Sequence, residues 1–150
     1  MALYYLETSA LVKLYVREPG TDRMLRLASR AANHRLAVLA LAQVEFRSAV
    51  RRRQREGDID SALATRLIER SEQQQQARFM RQPVNDQVLD KALDLIDRHP
   101  LRAYDAIQLA GCLVLKGATG AEEPIFVCAD RQLVAAAESE GLAALDPAGG

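Results

Sequence analysis

Apolar positions recur along this chain at two spacings, and the alternation between them predicts the elements. Leu3-Tyr4-Tyr5-Leu6 is an unbroken apolar run that stops at Glu7-Thr8-Ser9; Ala10, Leu11, Leu14 and Tyr15 then follow at helical spacing. A buried strand feeding a helix is predicted. Glu18-Pro19-Gly20 ends that helix, and Thr21-Asp22 is read as the cap of another carrying Met24, Leu25 and Leu27. Leu36 to Leu39 reads as a second strand, followed by a helix through Val44, Phe46 and Val50. Gly57 interrupts, Asp58 or Asp60 restarts a helix through Leu63, Leu67 and Ile68, and Gln73 to Gln76 reads as its solvated face. Arg78 to Gln82 is a candidate edge strand. Val88, Leu89, Ala92, Leu95 and Ile96 give an amphipathic helix ended by His99-Pro100, with Asp86, Asp90, Asp94 and Asp97 on its solvated side. From Ala103 to Leu115 only Asp105 and Gln108 are polar, so that helix is expected to be buried around most of its circumference. A loop over Gly117 to Pro124, a strand over Ile125 to Ala129, a helix over Asp130 to Gly141 and a strand over Leu142 to Leu145 complete the reading.

Strands alternating with helices predict an α/β fold, a three-layer α/β/α sandwich on a mainly parallel sheet. No repeat or linker divides the chain, so one domain over residues 1–147 with a flexible tail over 148–150 is expected. At 150 residues such a domain buries enough surface to need neither disulfides nor a structural metal. Cys112 and Cys128 match no metal-ligand spacing and sit in apolar runs, as reduced core thiols of a cytoplasmic protein would. Glu7 arrives too early for an export signal, and no apolar stretch approaches a membrane span. The 20 Lys and Arg and 20 Asp and Glu cancel. The cancellation hides an asymmetry, because residues 1–82 carry 15 basic and 9 acidic groups and residues 83–150 carry 5 and 11. A neutral total therefore does not exclude a nucleic-acid partner.

Four acids change the picture. In a parallel sheet the carboxyl ends of the strands share one edge, where ligands bind. Glu7 follows the first strand, Asp130 follows the Ile125 to Ala129 strand, Glu45 lies in the first turns of the helix after Leu39, and Asp105 opens the buried helix. Glu45 and Asp105 have mostly apolar or small helical neighbours. Burying bare carboxylates costs several kcal/mol, and crowding them raises their pKa further. A divalent cation removes both penalties, and oxygen donors without His or Cys suit Mg²⁺ or Mn²⁺. Plainer roles compete: Asp130 is a good N-cap, Asp105 can cap or meet the helix dipole, and Glu7 can simply end a strand. Glu45 is the hardest to explain otherwise.

The segments Tyr5-Leu6-Glu7-Thr8-Ser9-Ala10-Leu11-Val12-Lys13-Leu14-Tyr15, Val44-Glu45-Phe46, Tyr104-Asp105-Ala106-Ile107-Gln108-Leu109-Ala110 and Val127-Cys128-Ala129-Asp130-Arg131-Gln132-Leu133 together resemble the PIN-domain family. Within it they resemble the VapC-type toxins of bacterial toxin–antitoxin pairs. The resemblance implies a metal-dependent endoribonuclease that uses Mg²⁺ or Mn²⁺ and leaves a 5′-phosphate and a 3′-hydroxyl. It implies that Glu7, Glu45, Asp105 and Asp130 are the catalytic, metal-binding acids. Glu7 and Asp105 would hold the metal most directly, and Thr8 or Ser9 would supply a supporting hydroxyl. A homodimer and a cognate antitoxin partner are further implied. The pattern departs at one position, since the family's first acid is normally Asp and this chain has Glu7. The extra methylene displaces the carboxylate by roughly a carbon–carbon bond, against a cation that demands near-octahedral geometry. The alternative reading is a degenerate PIN module with weak or no nuclease activity that binds RNA or a partner protein.

Arg47, Arg51 and Arg55 repeat every four residues, with Arg52 and Arg53 beside them. They read either as a solvated face balanced by Glu56, Asp58 and Asp60, or as a rim contacting RNA phosphates or an acidic antitoxin segment (Arg47, Arg51, Arg52 and Arg55). A receiver-like signalling domain shares the parallel α/β plan. It needs adjacent acids after its first strand, where this chain offers Glu7-Thr8-Ser9.

Overall fold

Leu3-Tyr4-Tyr5-Leu6 is apolar at every position because both faces of the strand it forms, β1 (Leu3–Leu6), are covered. Tyr5 points into one apolar cluster, and Leu6 into the other. The computed structural model describes residues 1–120 and 122–149. β1 is the middle of a sheet completed by β2 (Arg35–Leu39), β3 (Met80–Gln82), β4 (Pro124–Val127) and β5 (Ala143–Leu145), in the order β3-β2-β1-β4-β5 with every pair parallel.

Helices α1 (Thr8–Val12), α2 (Thr21–Ala28), α3 (Ala42–Arg55) and α4 (Ser61–Arg78) cover one face, packing Leu11, Met24, Phe46 and Ile68 onto Leu6, Leu36, Val38 and Val127. Helices α5 (Asp86–Arg98), α6 (Ala103–Thr119) and α7 (Arg131–Ser139) cover the other, where Leu95, Leu109 and Leu133 meet Tyr5, Leu39 and Phe126. The three-layer parallel sandwich is therefore observed. Tyr5 and Phe126 stack with centroids 5.8 Å apart. Truncating such a ring costs about 3–5 kcal/mol.

The chain leaves β1 towards β2 on one side and enters β4 on the other, so the direction of strand addition reverses between β1 and β4. That reversal opens a crevice at their carboxyl ends. Gly111 brings α6 against the sheet above it: a Cβ there would lie 2.6 Å from both Leu39 Cδ1 and the Tyr5 hydroxyl. The close approach carries the N-terminal turns of α6 to the crevice.

Several local expectations differ from what forms. α1 stops at Val12, and Leu14 and Tyr15 lie in the turns that follow. The N-cap of α2 is Gly20 at φ 96°, not Thr21-Asp22, because the Thr21 hydroxyl accepts from Glu18 N–H at 2.9 Å and serves the preceding turn. A side chain at Gly20 would also strike the Pro147 backbone. Asp60, of the two candidates, caps α4 by accepting from Leu63 N–H. The glutamine run is not uniformly solvated. Gln75 is buried and donates to Ser71 Oγ at 3.0 Å, and Gln74 accepts from the Tyr15 hydroxyl. α6 continues through Gly117 to Thr119, and Ala121 of the loop expected there lies outside the described residues. β4 ends at Val127 rather than Ala129, since Ala129 N–H donates to Ser9 Oγ instead of to a strand. At the C-terminus Ala148 N–H donates to Asp146 Oδ1 and the Gly149 carbonyl accepts from Arg23, while Gly150 lies outside the described residues.

Candidate active site

Glu7 sits where β1 ends, its N–H donating to the Val127 carbonyl of β4 at 3.0 Å, which fixes it at the mouth of the crevice. Its side chain is 8% exposed. Both carboxylate oxygens accept from Ser9 N–H, at 2.8 and 3.2 Å, so Glu7 caps the short α1.

Glu45 arrives in the first turn of α3, and Asp105 is the third residue of α6. Arg102 occupies the N-cap of α6, so Asp105 does not cap its helix. Asp130 does cap: it accepts from the N–H groups of Gln132 and Leu133 at 2.9 and 3.2 Å, so the plainer role foreseen for it is filled.

A buried polar chain holds the site together, and one of its links, Gln108, is not among the site residues expected from the sequence. The Tyr5 hydroxyl donates to the Gln108 carbonyl at 2.8 Å. Gln108 Nε2 donates to Glu45 Oε1 at 2.6 Å and to Thr8 Oγ1 at 3.1 Å, and the Thr8 hydroxyl in turn donates to Glu45 Oε1 at 3.2 Å. The signal available was that Gln108 is one of two polar residues on an apolar helix. Ser9 secures the other wall, accepting from Ala129 N–H at 3.0 Å and so fixing the turn that presents Asp130.

Burial dominates the electrostatics. It lifts Glu7 from 4.5 to about 7, against the lowering pull of its Ser9 hydrogen bonds and with help from the charges of Glu45 and Asp105. Glu45 is raised by burial, opposed by its bonds from Gln108 and Thr8, and raised further by Asp105. Asp105 is raised by burial and then by Asp130, with Arg102 acting against both. Among the described residues none of the four acids forms an ion pair. Glu7 and Glu45 line a cleft of about 410 Å³ with Thr8, Ser9, Val44 and Arg52.

As a donor set the four carboxylates suit a hard divalent cation, all oxygen with no sulfur or imidazole; Glu7 is buried, Glu45 and Asp105 are half-buried and Asp130 is exposed. In their present rotamers, among the described residues, no three His, Cys, Asp or Glu side chains converge closely enough to hold a metal.

The arginines separate. Arg47 pairs with Glu72, Arg51 donates to Gln54 Oε1 at 2.8 Å and reaches Thr65, and Arg53 pairs with Glu18. Arg55 is exposed at the end of α3. Of the candidate rim only Arg52 lines the carboxylate cleft. Val44, expected on the buried stripe of α3, is 65% exposed and lines the cleft as well, because Phe46 and Val50 take the core-facing positions.

The comparisons with known proteins agree with this architecture. Among curated protein sequences none matches. The chain is similar in fold to FitAcB from Neisseria gonorrhoeae (TM-score 0.66, 16% identity, 98% of each chain covered). It is also similar to PAE2754 from Pyrobaculum aerophilum (TM-score 0.64, 22% identity, 95% of this chain and 83% of that one). A third likeness is to VapBC2 from Rickettsia felis, crystallised with a DNA fragment from its promoter (TM-score 0.63, 11% identity, 95% of this chain and 97% of that one). No helix among the described residues is long and apolar enough to cross a membrane. Residues 4–138 match the PIN domain, and the chain belongs to that family.

Proposed function

We propose that this PIN-domain chain is a divalent-cation-dependent endoribonuclease, the toxin of a toxin–antitoxin pair acting in the cytoplasm. The observation that carries the reading is the set of buried or half-buried carboxylates at the β1/β4 crevice, raised in pKa and met by no ion pair. Glu7, Glu45, Asp105 and Asp130 would hold Mg²⁺ or Mn²⁺. When bound, such a cation supplies an acidified water and neutralises charge on a phosphodiester.

The chain's own residues prepare for this. Gln108 and Thr8 fix the Glu45 oxygen, with Tyr5 fixing Gln108 from below. Ser9 holds the Asp130 turn and, through its N–H, holds the Glu7 carboxylate that would ligate a cation. The Thr8 hydroxyl, bonded to Glu45 and Gln108, would help orient water at Glu45. Arg52, on the cleft wall, would meet a substrate phosphate. An antitoxin partner is supported by the fold likeness to VapBC2 and to a toxin–antitoxin complex from Klebsiella pneumoniae, and pairing of two copies belongs to the same reading.

Cleavage of a panel of structured and single-stranded RNAs in Mg²⁺ or Mn²⁺ tests it. The expected result is cleavage that chelator abolishes and Asp105→Asn lowers at least about 100-fold. Cleavage that survives chelation or Asp105→Asn would sink the proposal. One observation favours a second reading, a binding module without nuclease activity: Glu7 is engaged as the cap of α1. Cleavage by the unaltered chain that rises in Glu7→Asp supports a working but handicapped site. Silence on every RNA, in both forms, supports the binding module.

A further inference from the structure

Aromatic side chains are scarce in this chain, and all but one are drawn into the fold. Tyr5, Phe46, Phe79 and Phe126 are buried. Tyr4 packs edge-on against His34 and Tyr15 against Phe46. Tyr104 alone among the described aromatic residues is left exposed, at 63%. It stands one residue before Asp105 on α6 and lines the carboxylate cleft. Across that cleft α3 presents Val44, 65% exposed, beside the partly buried Leu41. Exposing both costs hydrophobic burial that neither helix needed to forgo, since each buries other apolar positions well. Two apolar walls thus flank a floor of carboxylates, with Arg52 further along α3.

Resting on the nuclease reading, we infer that Tyr104 is a stacking platform, with Val44 opposite, that takes an unpaired nucleobase next to the phosphate held over the acids. Each base of a single strand lies one sugar from its phosphate, so a phosphate over Glu7 and Glu45 brings a base to this wall. A duplex keeps its base faces stacked inside and has none to offer. The chemistry therefore selects single-stranded RNA with an intact base at that position. It is tolerant of which base, because every base has a flat face. Tyr104 is thus a specificity-determining residue rather than a structural one: its ring is in solvent and its removal leaves the core intact.

The test is fluorescence anisotropy with a labelled oligo-adenosine eight-mer and its fully abasic counterpart, with Ca²⁺ present to hold phosphate. The chain is expected to bind the base-bearing strand more tightly than the abasic one. Tyr104→Ala should weaken the base-bearing strand by roughly 5- to 150-fold and leave the abasic strand unchanged, with Tyr104→Phe close to the unaltered chain. Equal weakening of both strands, or none, would overturn the platform. RNA affinity indifferent to Tyr104 would assign the exposed rim to another occupant, such as a partner protein's apolar side chain. RNA cleavage with no Tyr104 dependence removes this inference alone, whereas absence of cation-dependent cleavage across the whole RNA panel removes the nuclease reading with it.

Discussion

Two clefts of similar size open on the molecule, one among the helices of a single layer and one at the carboxyl edge of the sheet, and acids line both. Asp90, Asp94 and Glu140 border a cleft of about 530 Å³ among α5, α6 and α7, while Glu7 and Glu45 border the one of about 410 Å³ at the β1/β4 crevice. In the first the protein answers its own charges. Asp94 pairs with Arg98 and Lys91, and Glu140 with Arg98 and His99 at 2.6 Å each. Arg98 holds Asp94 below the usual carboxylate range, and Glu140 is lowered too, its bonds from His99 and Arg98 outweighing its desolvation. In the second the acids are raised, and none has a partner cation within ion-pair distance among the described residues. Size and acid content are common to both. What differs is whether a cation compensates the carboxyl groups, and acids left raised and unpaired in a cleft mark a candidate binding site.

The contrast has a pH signature. Glu7 titrates at about 7 in the folded chain against 4.5 for a solvated glutamate, so between those values the folded state binds more protons than the unfolded one. Stability therefore falls as pH rises through that window, by on the order of 3 kcal/mol, with Glu45 and Asp105 adding in the same direction. Thermal melts of cation-free protein between pH 4.5 and 7.5 should show this fall, and Glu7→Gln should flatten it. Asp94→Asn, in the satisfied cleft, should leave the slope unchanged. A Glu7→Gln melt with the slope of the unaltered chain would erase the distinction between the clefts.

The arginines of α3 repeat the contrast with smaller effects. Arg53 and the buried Lys13 both hold Glu18, tying α3 to the segment after α1. Arg53→Ala should cost about 1 kcal/mol of stability and leave RNA affinity and its salt dependence alone. Arg52 forms no ion pair among the described residues. Arg52→Ala should cost less than about 0.5 kcal/mol yet lower the salt slope of RNA binding by close to one phosphate contact. Equal salt slopes for the two variants would return Arg52 to the solvated face.

What the residues disclosed depended on how local each signal was. Runs such as Leu36 to Leu39 are short-range patterns, and the strands they predict are the strands observed. The carboxylates were legible because the parallel sheet fixes which edge follows each strand, whatever the side chains do. Gln108 was not, because its role depends on Tyr5, Thr8 and Glu45, more than sixty residues away, meeting it in space. Gln75 was misread for the same reason: nothing within the glutamine run shows that Ser71 and Gln75 turn inward together. The exposure of Val44 was hidden too, since only the packing of Phe46 and Val50 decides which side of α3 is left over.

The central claim is that the β1/β4 carboxylates are kept uncompensated for a divalent cation. Calorimetric titration of the chain with Mn²⁺ at pH 6.5, in two buffers of different ionisation enthalpy, tests it most directly. The account predicts binding accompanied by proton release, because burial raises Glu7 to about 7 and so leaves protons on it at pH 6.5 for a cation to displace. It predicts that Asp105→Asn abolishes the binding and that Asp94→Asn does not. Mn²⁺ binding that releases no proton, or that survives Asp105→Asn, would contradict it.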